Sequence, residues 1–174
     1  MKRLEHLSQR TLIIGNSGSG KSALSDRLNT LTLVPVVDLD LLHWEGDVYG
    51  RKRDEEVARH MVREIASREL WIMEGVYGWL AEVAVPRATS LIWLDFPWTL
   101  CHAGLLARGS RRGATEQDVT DLLKWAEHYW ERQTSSSFAG HARIFEKFSG
   151  IKFRLRNREE IERLLDSLRG NLEN

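Results

Sequence analysis

Lys21 and Ser22 close the segment Gly15-Asn16-Ser17-Gly18-Ser19-Gly20-Lys21-Ser22, which fits the spacing G-x-x-x-x-G-K-[ST]. That spacing is suited to phosphate binding. Glycines let backbone N–H groups converge on an anion, the lysine reaches the β- and γ-phosphates of a nucleoside triphosphate, and the following hydroxyl ligates Mg²⁺. Such a loop needs a strand before it and a helix after it. The apolar run Thr11-Leu12-Ile13-Ile14 reads as a buried parallel strand, and Leu24, Leu28 and Leu31 recur at helical spacing after Ser22. The helix N-terminus then points at the same place as the loop amides. ATP with Mg²⁺ is the ligand expected across Gly15, Asn16, Ser17, Gly18, Ser19, Gly20, Lys21 and Ser22.

The elements that must hold this loop show as alternating patterns. Apolar runs at Thr11–Ile14, Val34–Val37, Leu70–Met73, Leu91–Leu94 and Ile151–Leu155 predict five strands. Between them, Val57, Ala58, Met61, Val62 and Ile65 share one helical face. So do Val119, Leu122, Leu123, Ala126 and Tyr129, and so do Ile161, Leu164, Leu165 and Leu168. A helix start is expected near Asp54, and another where Asn157 is followed by Glu160. Strands alternating with helices predict an α/β fold, a three-layer sandwich around a five-stranded parallel sheet. In the last strand, Lys152, Arg154 and Arg156 alternate with Ile151, Phe153 and Leu155, which suits a sheet edge with one polar face.

At 174 residues and 42% hydrophobic, the chain is expected to form one domain spanning 1–174. Twenty-five basic and 25 acidic residues cancel, so no whole-chain field draws nucleic acid or an anionic membrane, although a local patch remains open to either. The single cysteine, Cys101, excludes an intramolecular disulfide and predicts a reducing, cytoplasmic setting. No apolar stretch approaches a membrane span, and Met1-Lys2-Arg3-Leu4-Glu5-His6 lacks the apolar run of a signal peptide. The six histidines are scattered, so a metal is expected to arrive with the nucleotide rather than in a zinc cage.

From Arg10 to about Leu168 the chain resembles the small phosphoryl-transfer branch of the P-loop proteins, which holds adenylate, shikimate and gluconate kinases. Within that branch it is similar to the kinase-like proteins called DNA topology modulation proteins. Leu39-Asp40-Leu41-Leu42-His43-Trp44 matches their L-D-x-L/I-x-W, and Asp38 with Asp40 resembles the D-x-D of shikimate kinases. The resemblance implies that Asp40 accepts the acceptor's proton or ligates Mg²⁺, and that Asp38 is a metal ligand; a helix N-cap or a solvated turn acid is the competing reading. Trp71-Ile72-Met73-Glu74-Gly75-Val76-Tyr77 is similar to W-I-x-D-G-N-Y, which gives Glu74 the task of holding Mg²⁺ with Ser22, against a strand-end acid in solvent. Leu91-Ile92-Trp93-Leu94-Asp95-Phe96-Pro97 matches L-D-x-P, with Asp95 and Pro97 read as structural.

The following helix leads to Arg108, then Arg111 and Arg112, where related kinases open a lid with R-x-x-x-R. Arg108 and Arg112 are expected to neutralise the transferring phosphoryl group, with a lid at about 109–117; a basic helix end stabilising its own dipole is the alternative. Gly104 stands where the first arginine of that pair would be. Arg156-Asn157 falls where the family wraps the adenine base.

The acceptor is a small molecule of unspecified identity. Gly75-Val76-Tyr77-Gly78 lacks the arginine with which adenylate kinases hold an acceptor phosphate, which favours a hydroxyl acceptor assisted by Asp40. Gly50-Arg51-Lys52-Arg53 is either a phosphate site or a solvated basic turn. Trp44, Tyr49, Trp79 and Trp98 are candidates to stack on an aromatic acceptor, whereas Trp71 and Trp93 belong to core strands, and Trp125 and Trp130 to helix packing. A nucleic-acid regulator is a second reading, resting on Lys147, Lys152, Arg154, Arg156 and Arg158; a slow NTPase is a third. A monomer or weak dimer is expected.

Overall fold

The computed structural model describes residues 5–45, 51–109 and 114–172. Five strands, β1 (Arg10–Gly15), β2 (Val36–Asp38), β3 (Trp71–Gly75), β4 (Ser90–Leu94) and β5 (Ile151–Leu155), form one sheet in the order β2-β3-β1-β4-β5, with every neighbouring pair parallel. The β2 strand begins two residues later than its apolar run. In β3 the strand starts at Trp71, and Leu70 is 47% exposed.

Side chains alternate between two cores, as a sheet covered on both faces requires. Leu12, Ile14, Trp71, Met73, Leu91 and Trp93 point to one face, where α2 (Leu39–His43), α3 (Glu55–Ala66), α4 (Gly78–Ala84) and α7 (Phe138–Lys147) contribute Leu42, Val62, Leu80 and Ile144. Ile13, Ile72, Ile92 and Leu94 point to the other, against α1 (Lys21–Thr32), α5 (Trp98–Arg108) and α8 (Arg158–Leu172). The helix α6 (Glu116–Glu127) completes the order. The three-layer α/β sandwich predicted from the sequence is the observed fold.

The helix starts follow local chemistry. Asp54 caps α3 by accepting from the N–H groups of Glu56 and Val57. Asn157 and Glu160 cap α8 reciprocally: Glu160 N–H donates to Asn157 Oδ1 at 2.9 Å, and the Glu160 carboxylate accepts from Arg156 N–H at 2.7 Å. The predicted face of α8 is buried; on α3, Ala58 and Val62 are buried, Met61 and Ile65 are half-buried, and Val57 is 49% exposed. The helices α2, α4 and α7 were not expected. Two of them are short, and α7 follows a serine-rich stretch, with Ser137 as its cap.

Because all strands run the same way, Gly15, Asp38, Glu74 and Leu94 emerge at one end of the sheet. Ligands bind there in open parallel sheets, where neighbouring connections part to opposite faces.

Candidate active site

A cleft of about 560 Å³ opens at this end. It brings together Ser17, Lys21 and Ser22 of the loop, Asp38 and Asp40 after β2, Glu74 at the end of β3, and Arg108 at the end of α5. These residues come from four separated stretches of chain.

The loop itself is pre-shaped. Gly20 is the N-cap of α1 in the left-handed region, at φ 92°. The Lys21 ammonium, 8% exposed, donates to the Asn16 carbonyl at 2.9 Å, so the cation already lies along the loop. Ser22 Oγ donates to Glu74 Oε1 at 2.6 Å, and Glu74 is 3% exposed. Glu74 shares its side of the sheet with Ile72, the side that α1 covers, so its carboxylate meets the first turn of that helix. A hydroxyl and a carboxylate in contact make an oxygen donor pair suited to Mg²⁺. Asn16 serves another purpose: its amide donates to the Ala126 carbonyl at 2.8 Å and ties the loop to α6.

The Asp38 carboxylate accepts from Asp40 N–H at 2.7 Å and caps α2, so this part of the competing reading is realised while Asp38 still lines the cleft. Arg112 and Tyr49 lie outside the described residues, as does the centre of the expected lid. Of its flanks, Gly109 ends α5, and Thr115 opens α6 with a capping box to Asp118.

Gly104 has a role that its alignment with an arginine concealed. A Cβ at Gly104 would lie 2.2 Å from the Gly18 carbonyl oxygen, and one at Gly18 would lie 2.1 Å from the Cys101 carbonyl oxygen. The helix α5 therefore rests on the phosphate loop backbone to backbone. Gly104→Ala is expected to push the two apart and weaken ATP binding about tenfold or more, an overpacking cost of about 1–3 kcal/mol. Calorimetric titration with ATP checks this, and unchanged affinity would show that helix and loop part freely.

Arg156 lines neither this cleft nor a second one of about 600 Å³ on the far side of the loop. Its guanidinium instead turns toward Asp95, 3.9 Å away. The second cleft is lined by Gly20, Phe96, Gly104, Arg108, Arg158 and Ile161 among others, so Arg158 is the basic residue after β5 that faces it. Two of the other basic residues on the edge strand have internal partners. Lys152 Nζ donates to the carbonyls of Phe145, Glu146 and Phe148 at the end of α7, and Arg154 pairs with Asp95 at 2.8 Å while lying over the Trp93 ring.

The aromatic residues are redistributed. Trp44 and Trp79 line the main cleft, as expected, but Trp98 packs against His102 elsewhere. His43, Tyr77 and Trp125 join the cleft instead. The sequence offered a signal for His43 and Tyr77, since both lie inside the quoted motifs; Trp125 gave none. The apolar positions Val119, Leu122 and Leu123 of α6 also face the cleft rather than the core. Thr134 and Ser136 form a further wall, held in place because Gly78 lets the Ser135 carbonyl approach: a Cβ at Gly78 would lie 1.9 Å from that oxygen.

Behind the cleft runs a buried polar chain. Trp93 Nε1–H donates to the Tyr129 hydroxyl at 3.3 Å, the hydroxyl donates to His141 Nδ1 at 2.7 Å, and His141 Nε2–H donates to the Val76 carbonyl at 3.1 Å. This chain fixes the turn between Glu74 and Tyr77. Burial holds the His141 imidazole neutral, its pKa pushed down to about 3, and burial followed by the Lys52 charge lowers that of His43 to about 4. Both groups take up protons on unfolding at mildly acidic pH. Stability is therefore full above about pH 6.5 and falls by about 1.4 kcal/mol per pH unit for each histidine as pH drops toward those lowered values. Urea unfolding at pH 7 and pH 5 checks the slope, which should shrink in His141→Gln.

The fold defined by this sheet order and glycine loop is that of the P-loop nucleotide-binding proteins. Solved structures of similar fold include shikimate and gluconate kinases. A shikimate kinase from Bacteroides thetaiotaomicron is similar over 95% of this chain and 99% of its own, at 18% identity and TM-score 0.57. A gluconokinase from Sinorhizobium meliloti matches over 94% and 92%, at 17% identity and TM-score 0.55. A sugar kinase from Janibacter sp. HTCC2649 matches over 94% and 93%, at 15% identity and TM-score 0.53. At these identities the likeness concerns the fold. No family model matches the chain, and no curated protein matches it in sequence. Among the described residues no helix is long and apolar enough to cross a membrane.

Proposed function

We propose that the protein is a phosphotransferase that moves the γ-phosphoryl group of ATP to the hydroxyl of a small molecule, with Mg²⁺. One observation carries this reading: the phosphate loop, the Ser22–Glu74 pair, Arg108 and Asp40 all open onto one cleft that continues into an aromatic recess. The likeness in fold to a shikimate kinase, a gluconokinase and a sugar kinase supports it.

The loop amides and Lys21 hold the β- and γ-phosphates, and Arg108 faces the charge that spreads over the transferring group. Ser22 and Glu74 would hold Mg²⁺, with Asp38 close at hand in the cleft. Among the described residues no three or more His, Cys, Asp or Glu side chains gather as a metal cage, so phosphate oxygens would complete the set. Mg²⁺ held there would supply charge neutralisation for the transferring phosphoryl group. Asp40 takes the proton of the acceptor hydroxyl as the new O–P bond forms. The second cleft, with Arg158, is the place for the nucleoside end of ATP.

Acceptor-stimulated ADP release across polyols, hydroxy acids, amino alcohols, nucleosides and nucleoside monophosphates tests the reading. Release of phosphate to water at the same rate with every acceptor would make the protein an NTPase. Salt-sensitive DNA binding with no acceptor turnover would favour a nucleotide-dependent regulator.

A further inference from the structure

The recess beyond Asp40 is built as a box. His43 stacks on Tyr77 at 3.9 Å between ring centroids and 25° between planes. Trp44 stands nearly perpendicular to both, at 79° to His43 and 76° to Tyr77. Trp79 stands at 71° to His43, with centroids 5.8 Å apart. A flat aromatic acceptor needs two parallel faces with a gap between them. The one parallel pair here is already in contact, so nothing can slide into it. Trp44 and Trp79, set steeply against the stacked pair, line the same cleft as that pair, and π-faces at steep angles to one another favour a cation over a flat ring.

The local backbone holds the box in place. Arg53 N–H donates to the His43 carbonyl and Glu45 N–H to the Arg51 carbonyl, each at 2.8 Å, pairing residues 43–45 with 51–53 around Trp44. The charges agree with the rings. Asp40 on α2, Glu55 on α3, and Asp118 and Asp121 on α6 line the same cleft. Two cations line the cleft as well: the Arg53 guanidinium, held by the carbonyls of Leu42 and Trp44, both at 3.0 Å, and Lys52, whose side chain is exposed and whose charge acts on His43. His43 adds no positive charge at neutral pH, because burial keeps it deprotonated. Tryptophans of this cleft already attract cations: the Arg59 guanidinium lies 5.0 Å from the Trp79 centroid, and that of Arg132 lies 4.0 Å from Trp125. Neither arginine lines the cleft.

We infer that the acceptor carries a compact cationic group, a protonated amine or a quaternary ammonium, on the same molecule as the hydroxyl that receives the phosphoryl group. This rests on the phosphotransferase reading above. The ammonium sits in the cleft against the aromatic wall of His43, Trp44, Tyr77 and Trp79, and the hydroxyl faces Asp40. In the transfer, the hydroxyl oxygen bonds to the γ-phosphorus and the bond from that phosphorus to the β–γ bridging oxygen breaks. ADP leaves with the electron pair, and the hydroxyl proton passes to Asp40.

Two measurements test the inference on the full chain. The first is tryptophan fluorescence during titration with tetramethylammonium chloride, with sodium chloride and tert-butanol as controls. A saturable change with half-saturation on the order of millimolar is expected for the cation alone. It should be lost in both Trp79→Leu and Trp44→Leu, whose ATP affinity stays that of the parent. The second is ADP release with choline, ethanolamine and glucosamine against 3,3-dimethylbutan-1-ol and glucose, with at least one cationic alcohol expected about tenfold or more above its neutral counterpart. Equal response to tert-butanol, or a neutral polyol or hydroxy acid as the best acceptor, overturns the cationic acceptor and leaves the phosphotransferase standing. Absence of ATP binding to the parent chain overturns both.

Discussion

Lys21→Ala is expected to remove acceptor-dependent turnover, by about 10²–10³-fold or more, and to weaken ATP binding by about 10–10²-fold. In the proposed reading the ammonium lies along the β- and γ-phosphates, and a charged hydrogen bond in a water-poor site is worth more than one in bulk solvent. The structure explains why the effect should be local. Lys21 donates to the Asn16 carbonyl at 2.9 Å, while Asn16 is held independently by its side-chain bond to the Ala126 carbonyl. The loop should therefore keep its path in the variant. Calorimetry for ATP and a coupled assay for ADP release check the two effects, with the thermal midpoint as a control on folding. Wild-type affinity and turnover in the variant would mean that the loop does not bind the donor.

Asp40→Asn is expected to cut acceptor-dependent turnover by about 10²–10⁴-fold while ATP affinity stays near that of the parent. An alcohol must lose its proton as the O–P bond forms, and an amide cannot accept it. A phosphate acceptor is already anionic and needs no base. The backbone N–H of residue 40 donates to Asp38 Oδ1, a bond that the variant retains, so the start of α2 keeps its cap. Steady-state kinetics over a range of Mg²⁺ concentrations separates two roles. A loss independent of metal identifies a base, and a loss rescued by metal and accompanied by weaker ATP binding identifies a metal ligand. Full activity of the variant with a monophosphate acceptor would rule out the hydroxyl reading.

The residues that lay within one continuous stretch were legible in the sequence. The loop from Gly15 to Ser22 announced itself because its glycines, lysine and hydroxyl must be neighbours to wrap one phosphate. The five strands, their parallel alternation with helices and the edge position of β5 followed from hydrophobic period and charge pattern, properties of each segment alone. The caps at Asp54 and Asn157 were equally local. Glu74, near the end of β3, and Asp40, two residues past β2 in α2, could be nominated because they lie in quoted motifs.

Tertiary contact decided the rest. Gly104 looked like a missing arginine until the helix was seen resting on Gly18, an approach between residues 86 positions apart that no pattern encodes. The apolar face of α6 has the same period whether it meets a core or a cleft, so the sequence assigned Val119 and Leu122 to packing and the fold gave them to the site. Arg156 and Arg158 differ by two positions, and only the geometry after β5 determined that the first turns to Asp95 and the second to the second cleft. The aromatic residues show the divide most sharply. The sequence nominated Trp44, Tyr49, Trp79 and Trp98 to stack on an aromatic ligand. The angles between His43, Trp44, Tyr77 and Trp79 are set by α2, the 43–53 pairing and α4 together, and they make a box in place of a sandwich. Sequence determines chemistry that neighbouring residues perform together. Ring orientation and approach between distant segments arise only when separate elements pack, because side-chain direction depends on the surfaces that enclose it.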